Sequence, residues 1–105
     1  MKIQTLLTED FNNETKTIVL VGETRDNVRG TLYLQVEDAN NLSMTVSGRV
    51  SQTTDDESLA FVDLGTYTKA TTMNDNGIYW ILSEELYSIT FAAQGSCLLT
   101  IKVVE

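Results

Sequence analysis

TLYLQVEDANNLSMTVSGRV, residues 31–50, is the stretch that decides the fold. Its first six residues alternate strictly, with Leu32, Leu34 and Val36 on one side and Thr31, Tyr33 and Gln35 on the other. Successive side chains of a strand point to opposite faces, so a repeat of two predicts a strand with one dry face. The alternation resumes after EDANN. Leu42, Met44, Val46 and Val50 share a side with Gly48, while Ser43, Thr45, Ser47 and Arg49 take the other. Asn and Asp tolerate the left-handed backbone, so EDANN reads as a turn between two strands. A glycine on an apolar side predicts a bulge or the close approach of another backbone.

The same grammar extends in both directions. Residues 2–7 and 17–22 are short apolar runs separated by the polar, turn-like EDFNNETK, and residues 22–30 form a charged loop bracketed by glycines. SQTTDDES is a polar loop, LAFVDLGTYT a β-rich run broken at Gly65, and KATTMNDNG a second loop whose Asn76-Gly77 pair suits positive φ angles. GIYWILSEELYSITF, residues 77–91, reads as an antiparallel hairpin turned by SEE. AAQGS then turns the chain into a last strand, residues 97–104. No window carries a helical period. About eight short strands at regular spacing predict an all-β fold, an antiparallel β-sandwich of jelly-roll or Ig-like kind, in one domain spanning residues 1–105.

Composition narrows the chemistry. Fifteen acids against seven bases give a net charge of −8, which repels phosphates and makes nucleic acid and anionic membranes poor partners. The chain has no histidine and one cysteine, so Ser-His-Asp and Cys-His catalysis and a cysteine zinc site are out of reach. Cys97, inside the apolar run CLLTIKVV, is expected to be a buried, inert thiol. GETRDNVRG lacks the Gly-Lys-Ser/Thr ending of a phosphate loop. Residues 1–11 lack the long apolar run of a signal peptide, so synthesis in a cytoplasm is expected.

Two chemical options survive. Paired carboxylates could serve glycoside hydrolysis, drawn from Asp55, Asp56, Glu57, Asp63, Glu84 and Glu85. Acids this common in an acidic chain read better as charges that keep strand ends wet. NDNG, residues 74–77, and TTDDES, residues 53–58, superficially suggest calcium, but the spaced acids and distant bidentate Glu of a calcium loop are missing. The expectation is a protein that is not an enzyme, with no cofactor and no metal.

The aromatic segment leaves one question open. Tyr87, Ile89 and Phe91 make a dry face opposite Ser88 and Thr90, but GIYWIL is apolar on both faces. Tyr79 and Ile81 share one; Ile78, Trp80 and Leu82 share the other. Either Trp80 is the core tryptophan and Tyr79 points out, or Trp80 points outward and marks an interface. The last strand is similar, with Cys97, Leu99, Ile101 and Val103 opposite Leu98, Thr100, Lys102 and Val104. The candidate interface residues are therefore Ile78, Trp80, Leu82, Leu98 and Val104, and two such strands suggest a protein that associates.

From Gly30 onward the chain resembles small β-sandwich virion proteins of tailed bacteriophages, of the head decoration (auxiliary capsid) and head-fibre types, crAss-like phages among the sources. The resemblance rests on the Asn41 to Val50 strand NLSMTVSGRV, the FVDLG connection starting at Phe61, and the GIY strand start at Gly77. It implies that Tyr79 and Ile81 face inward and Trp80 outward, where related patterns carry a small or polar residue. It further implies a structural role on the capsid surface of the virion, with the major capsid protein, other virion proteins or its own copies as partners. Closed symmetry such as a trimer suits that role. Residues 1–27 lie outside the resemblance, and in such proteins a segment there is an anchoring arm or an extra strand. The rival reading is a carbohydrate- or cell-surface-binding module in which Trp80 and tyrosines stack on sugar rings.

Overall fold

A computed structural model describes residues 3–20, 31–82 and 86–104. Among them are eight strands and no helix: β1 (Ile3–Asn12), β2 (Thr15–Val19), β3 (Thr31–Arg49), β4 (Glu57–Ser58), β5 (Phe61–Asp63), β6 (Thr68–Ala70), β7 (Gly77–Leu82) and β8 (Ser88–Val104). All pairings are antiparallel. The order is β1-β8-β3-β7-β5-β6, with β2 also beside β8 and β4 beside β3. The loop of residues 22–30 and the SEE turn at residues 83–85 lie outside the described residues.

The long strands make the architecture. EDANN does not reverse the chain. It bends a single strand of 19 residues, with Asp38 and Asn41 in the left-handed region at φ 54° and 52°. AAQGS likewise bends the 17-residue β8 at Gly95, φ 83°. EDFNNETK bends the path from β1 to β2 at Asn13, φ 51°. The three bends lie side by side. The Asn13 N–H donates to the Gly95 carbonyl, and the Gly95 N–H donates to Asn13 Oδ1, both at 2.9 Å. Across β8, Gly95 lies against the backbone of Asn40 and Asn41. Here the left-handed residues that usually close turns fold a continuous sheet over itself.

Two half-sheets result, enclosing one core. In the first, Leu34 pairs with Tyr79 on one side and Ile101 on the other, and all three are buried. In the second, Phe91 pairs with Val46 and with Lys16 of β2. Met44 and Met73 exchange backbone hydrogen bonds of 2.9 Å, tying the segment before β7 to the far half of β3. The alternation resumes in phase after each bend: even positions 32–36 and 42–46 and odd positions 89–93 and 97–103 supply the core, while Asp38, Asn40 and Gly95 at the bends do not. Each Leu, Val, Ile or Phe so enclosed contributes roughly 1.5–3 kcal/mol of burial.

Five sequence expectations are corrected. β7 does not form a hairpin with β8. It pairs with β3 and β5, while the first half of β8 pairs with β2 and the far half of β3. Chain proximity favoured the hairpin, but the first half of β3 offers β7 six paired positions in the other half-sheet. LAFVDLGTYT is not one strand but the β5–β6 hairpin. Val50 is exposed, because β3 ends before it. Tyr87 is half-buried rather than core, its Oη accepting from Gln52 Nε2, whereas Ser88 is buried. Asn76 and Gly77 do not take positive φ; Tyr67 does, at 55°.

Cys97 is buried on β8 beside Phe11, and burial pushes its thiol pKa up, with nearby Asp10 adding to the effect. A raised thiol pKa and lost access both suppress the thiolate that reacts. The native protein should therefore resist a thiol-specific disulfide reagent at neutral pH for as long as it stays folded. The test is the labelling rate in buffer against that in denaturant, and comparable rates would contradict the burial.

Candidate protein-binding face

The outer face of the first half-sheet can be read from the register. Trp80 sits between Val62 of β5 and Tyr33 of β3, and Tyr33 in turn pairs with Lys102 of β8. Val62 pairs outward with Lys69 of β6, and Lys102 with Thr5 of β1. One row across the sheet therefore runs Lys69, Val62, Trp80, Tyr33, Lys102, Thr5. The row above it holds Leu82, Thr31 and Val104; the row below holds Ile78, Gln35, Thr100 and Thr8.

Of the residues singled out from sequence, Ile78, Trp80 and Leu82 lie together on this face. Ile78 and Leu82 are 44% and 59% exposed, and Trp80 is partly exposed between its two neighbours. Tyr79 and Ile81 are buried, so the tryptophan is not in the core. Leu98 is on the same side of the sheet, two strands away, opposite Glu37 and Asp10. Val104 pairs with Thr31 and Ile3, and its side chain lies outside the described residues. Tyr33, 38% exposed, is the member that sequence reasoning missed. Alternation placed it outward, but nothing local says that it stands opposite Trp80.

The charge on this face differs from that of the whole chain. The three rows carry no carboxylate. Elsewhere among the described residues the cations are engaged: Lys16 bonds Glu9 and approaches Glu14, and the Arg49 Nε donates to Asp56 at 2.8 Å. Those bonds raise the pKa of Lys16 and lower that of Asp56. Among the described residues Lys69 and Lys102 enter no salt bridge, and both lie in the Trp80 row. An apolar, aromatic strip with a lysine toward each end thus interrupts an acidic surface.

Beyond Val62 the short β5 leaves β7, and a groove of about 280 Å³ opens. Leu59, Phe61, Val62, Trp80 and Leu82 line it, together with Lys69. Phe61 is held from inside by the Tyr79 ring, edge-on at 5.4 Å between centroids.

This fold is similar to that of the SPBc2 prophage-derived protein YomS. The crystal structure of that protein superposes with a TM-score of 0.73 over 99% of this chain and 92% of its own, at 11% sequence identity. At that identity the likeness shows a shared fold. The chain matches no protein-family model and no curated protein.

Asp56 pairs with Arg49, Asp63 Oδ1 accepts from the Gly65 N–H at 2.8 Å, and Glu84 and Glu85 lie outside the described residues. In NDNG, Asn74 Nδ2 donates to the Leu42 carbonyl, and Asn76 Oδ1 accepts from the Ala39 N–H. Among the described residues no three carboxylates or thiols are grouped to hold a metal ion. A second, polar pocket of about 430 Å³ lies between Asp63 and Asp75. On its floor Tyr79 Oη donates to the Asp75 carbonyl. Burial pushes that phenol's pKa up, and Asp63 and Asp75 push it further, so the hydroxyl stays a neutral donor.

Proposed function

We propose that the protein is a structural component of a tailed-phage virion, not an enzyme, and that it binds protein through the outer face of β3 and β7. The observation that carries this reading is the acid-free strip of Tyr33, Ile78, Trp80 and Leu82 on a chain of net charge −8. Exposed apolar area of this kind is costly to leave in water and marks a contact. The fold shared with a prophage-derived protein supports a phage origin. On this reading the protein is made in the host cytoplasm. It then coats the capsid surface as a decoration or head-fibre protein, with the major capsid protein as its partner.

The test is co-sedimentation with phage heads. Trp80→Ala should weaken head binding by about 30-fold or more, as expected for an aromatic anchor. Ile78→Asp should do the same by placing a charge in the strip, with the circular dichroism spectrum unchanged. Full binding by both variants sinks the proposal.

One observation favours a second reading. Tyr33 and Trp80 are cross-strand neighbours on an accessible face, an arrangement on which a sugar ring could stack. Oligosaccharide that shifts Trp80 fluorescence, with no affinity for heads, would favour it.

A further inference from the structure

The turn between β5 and β6 holds Tyr67 out in water. It is 83% exposed, the most exposed of the large hydrophobic side chains described, and its φ is 55°. Both facts run against local preference. A bulky side chain in the left-handed region is strained, and glycine or asparagine would close the turn without that cost. Exposure of the ring recovers nothing by burial. The turn does not depend on the ring, since Asp63 closes it by accepting the Gly65 N–H at its side chain and the Thr66 N–H at its carbonyl.

The same hairpin borders the apolar groove described above. Its lining is apolar apart from Lys69, none of its lining residues is acidic, and Lys69 enters no salt bridge among the described residues. The turn has the complementary character: a projecting aromatic ring and the carboxylate of Asp63, with no base between residues 63 and 67. Within one chain the ring stays out of the groove, as its exposure shows.

We infer that the groove of one copy receives Tyr67 of a second copy, with Asp63 of the incoming turn meeting Lys69. The matching charges and the matching ring and groove identify a second copy as the occupant. An aromatic side chain buries about 150–250 Å², so this contact alone falls below the roughly 1,200 Å² of a stable complex. It is a weak contact, with a dissociation constant on the order of a millimolar, and it gains strength where copies are held close. The inference deepens the virion reading by naming one partner, and it gives that reading a repeating contact. Its test uses the purified chain alone, so its failure is distinct from a failure to bind heads.

Sedimentation velocity over the micromolar to millimolar range reads the association. The wild-type chain and Tyr67→Phe should show a reversible rise in mass. Tyr67→Gly should remain monomeric while its melting temperature rises, because the strain is gone. Lys69→Glu should weaken association by at least tenfold. An equimolar mixture of Tyr67→Gly, which keeps the groove, with Lys69→Glu, which keeps the ring, should recover one-to-one complexes. A wild-type chain that stays monomeric at millimolar concentration overturns the inference. So does a Tyr67→Gly variant that associates like wild type, or a mixture that fails to form complexes.

Discussion

Gly95→Ala should unfold the protein or cost at least about 3 kcal/mol, from left-handed strain plus overpacking. The residue has φ 83°, which L side chains rarely adopt. An added Cβ would also stand 2.6 Å from the Asn41 carbonyl carbon and 2.7 Å from the Asn40 oxygen. These are backbone atoms on a bend, so relief requires moving β3 away from β8. The other side is no freer, because both the N–H and the carbonyl of Gly95 are bonded to Asn13. Urea unfolding checks the result, with Gly65→Ala as the control. There an added Cβ meets only the Asp63 side chain, at 3.2 Å. Gly65→Ala should cost under about 1 kcal/mol, within the range of ordinary surface changes. Equal stabilities for the two variants would mean that the bends do not hold the half-sheets together.

Phe91→Ala should cost about 3–5 kcal/mol, the usual cost of emptying a buried aromatic site. Phe91 is fully buried on β8, with β2 on one side and β3 on the other. Both neighbours are fixed by their ladders, so the site cannot collapse onto the void. Against a total stability of roughly 5–15 kcal/mol for a domain, that loss leaves little margin. The urea midpoint should fall with an unchanged slope. Thr90→Ala, on the opposite face, loses only the hydroxyl contact with Thr17 at 2.9 Å and should cost about 1 kcal/mol. A Phe91→Ala loss no greater than this would show that the core of the second half-sheet is loose.

The inward set was largely legible in the sequence. Leu32, Leu34 and Val36, then Leu42, Met44 and Val46, were placed together by alternation and are buried together. Cys97, Leu99, Ile101 and Val103 follow the same rule. The outward position of Trp80 needed the resemblance to resolve it, because a strand apolar on both faces reads equally well either way round. Tyr33 and Tyr67 were not legible as site residues. Tyr33 matters through the strand beside it, and Tyr67 through a backbone angle that its residue type would not choose.

The sequence by itself determined the β class of the described residues and which side of most strands is dry. Both are local properties, written in a period of two and in the absence of any helical repeat. Only the tertiary structure decided whether EDANN and AAQGS reverse the chain or bend it, and which strand lies beside β7. A left-handed Asp, Asn or Gly serves a turn or a bend equally well. The choice falls to long-range hydrogen bonding, here the contact of Asn13, Gly95 and Asn41 across three strands. That contact folds one sheet into two layers, and the pairing of β7 with β3 sets Trp80 beside Tyr33 on the face proposed to bind protein.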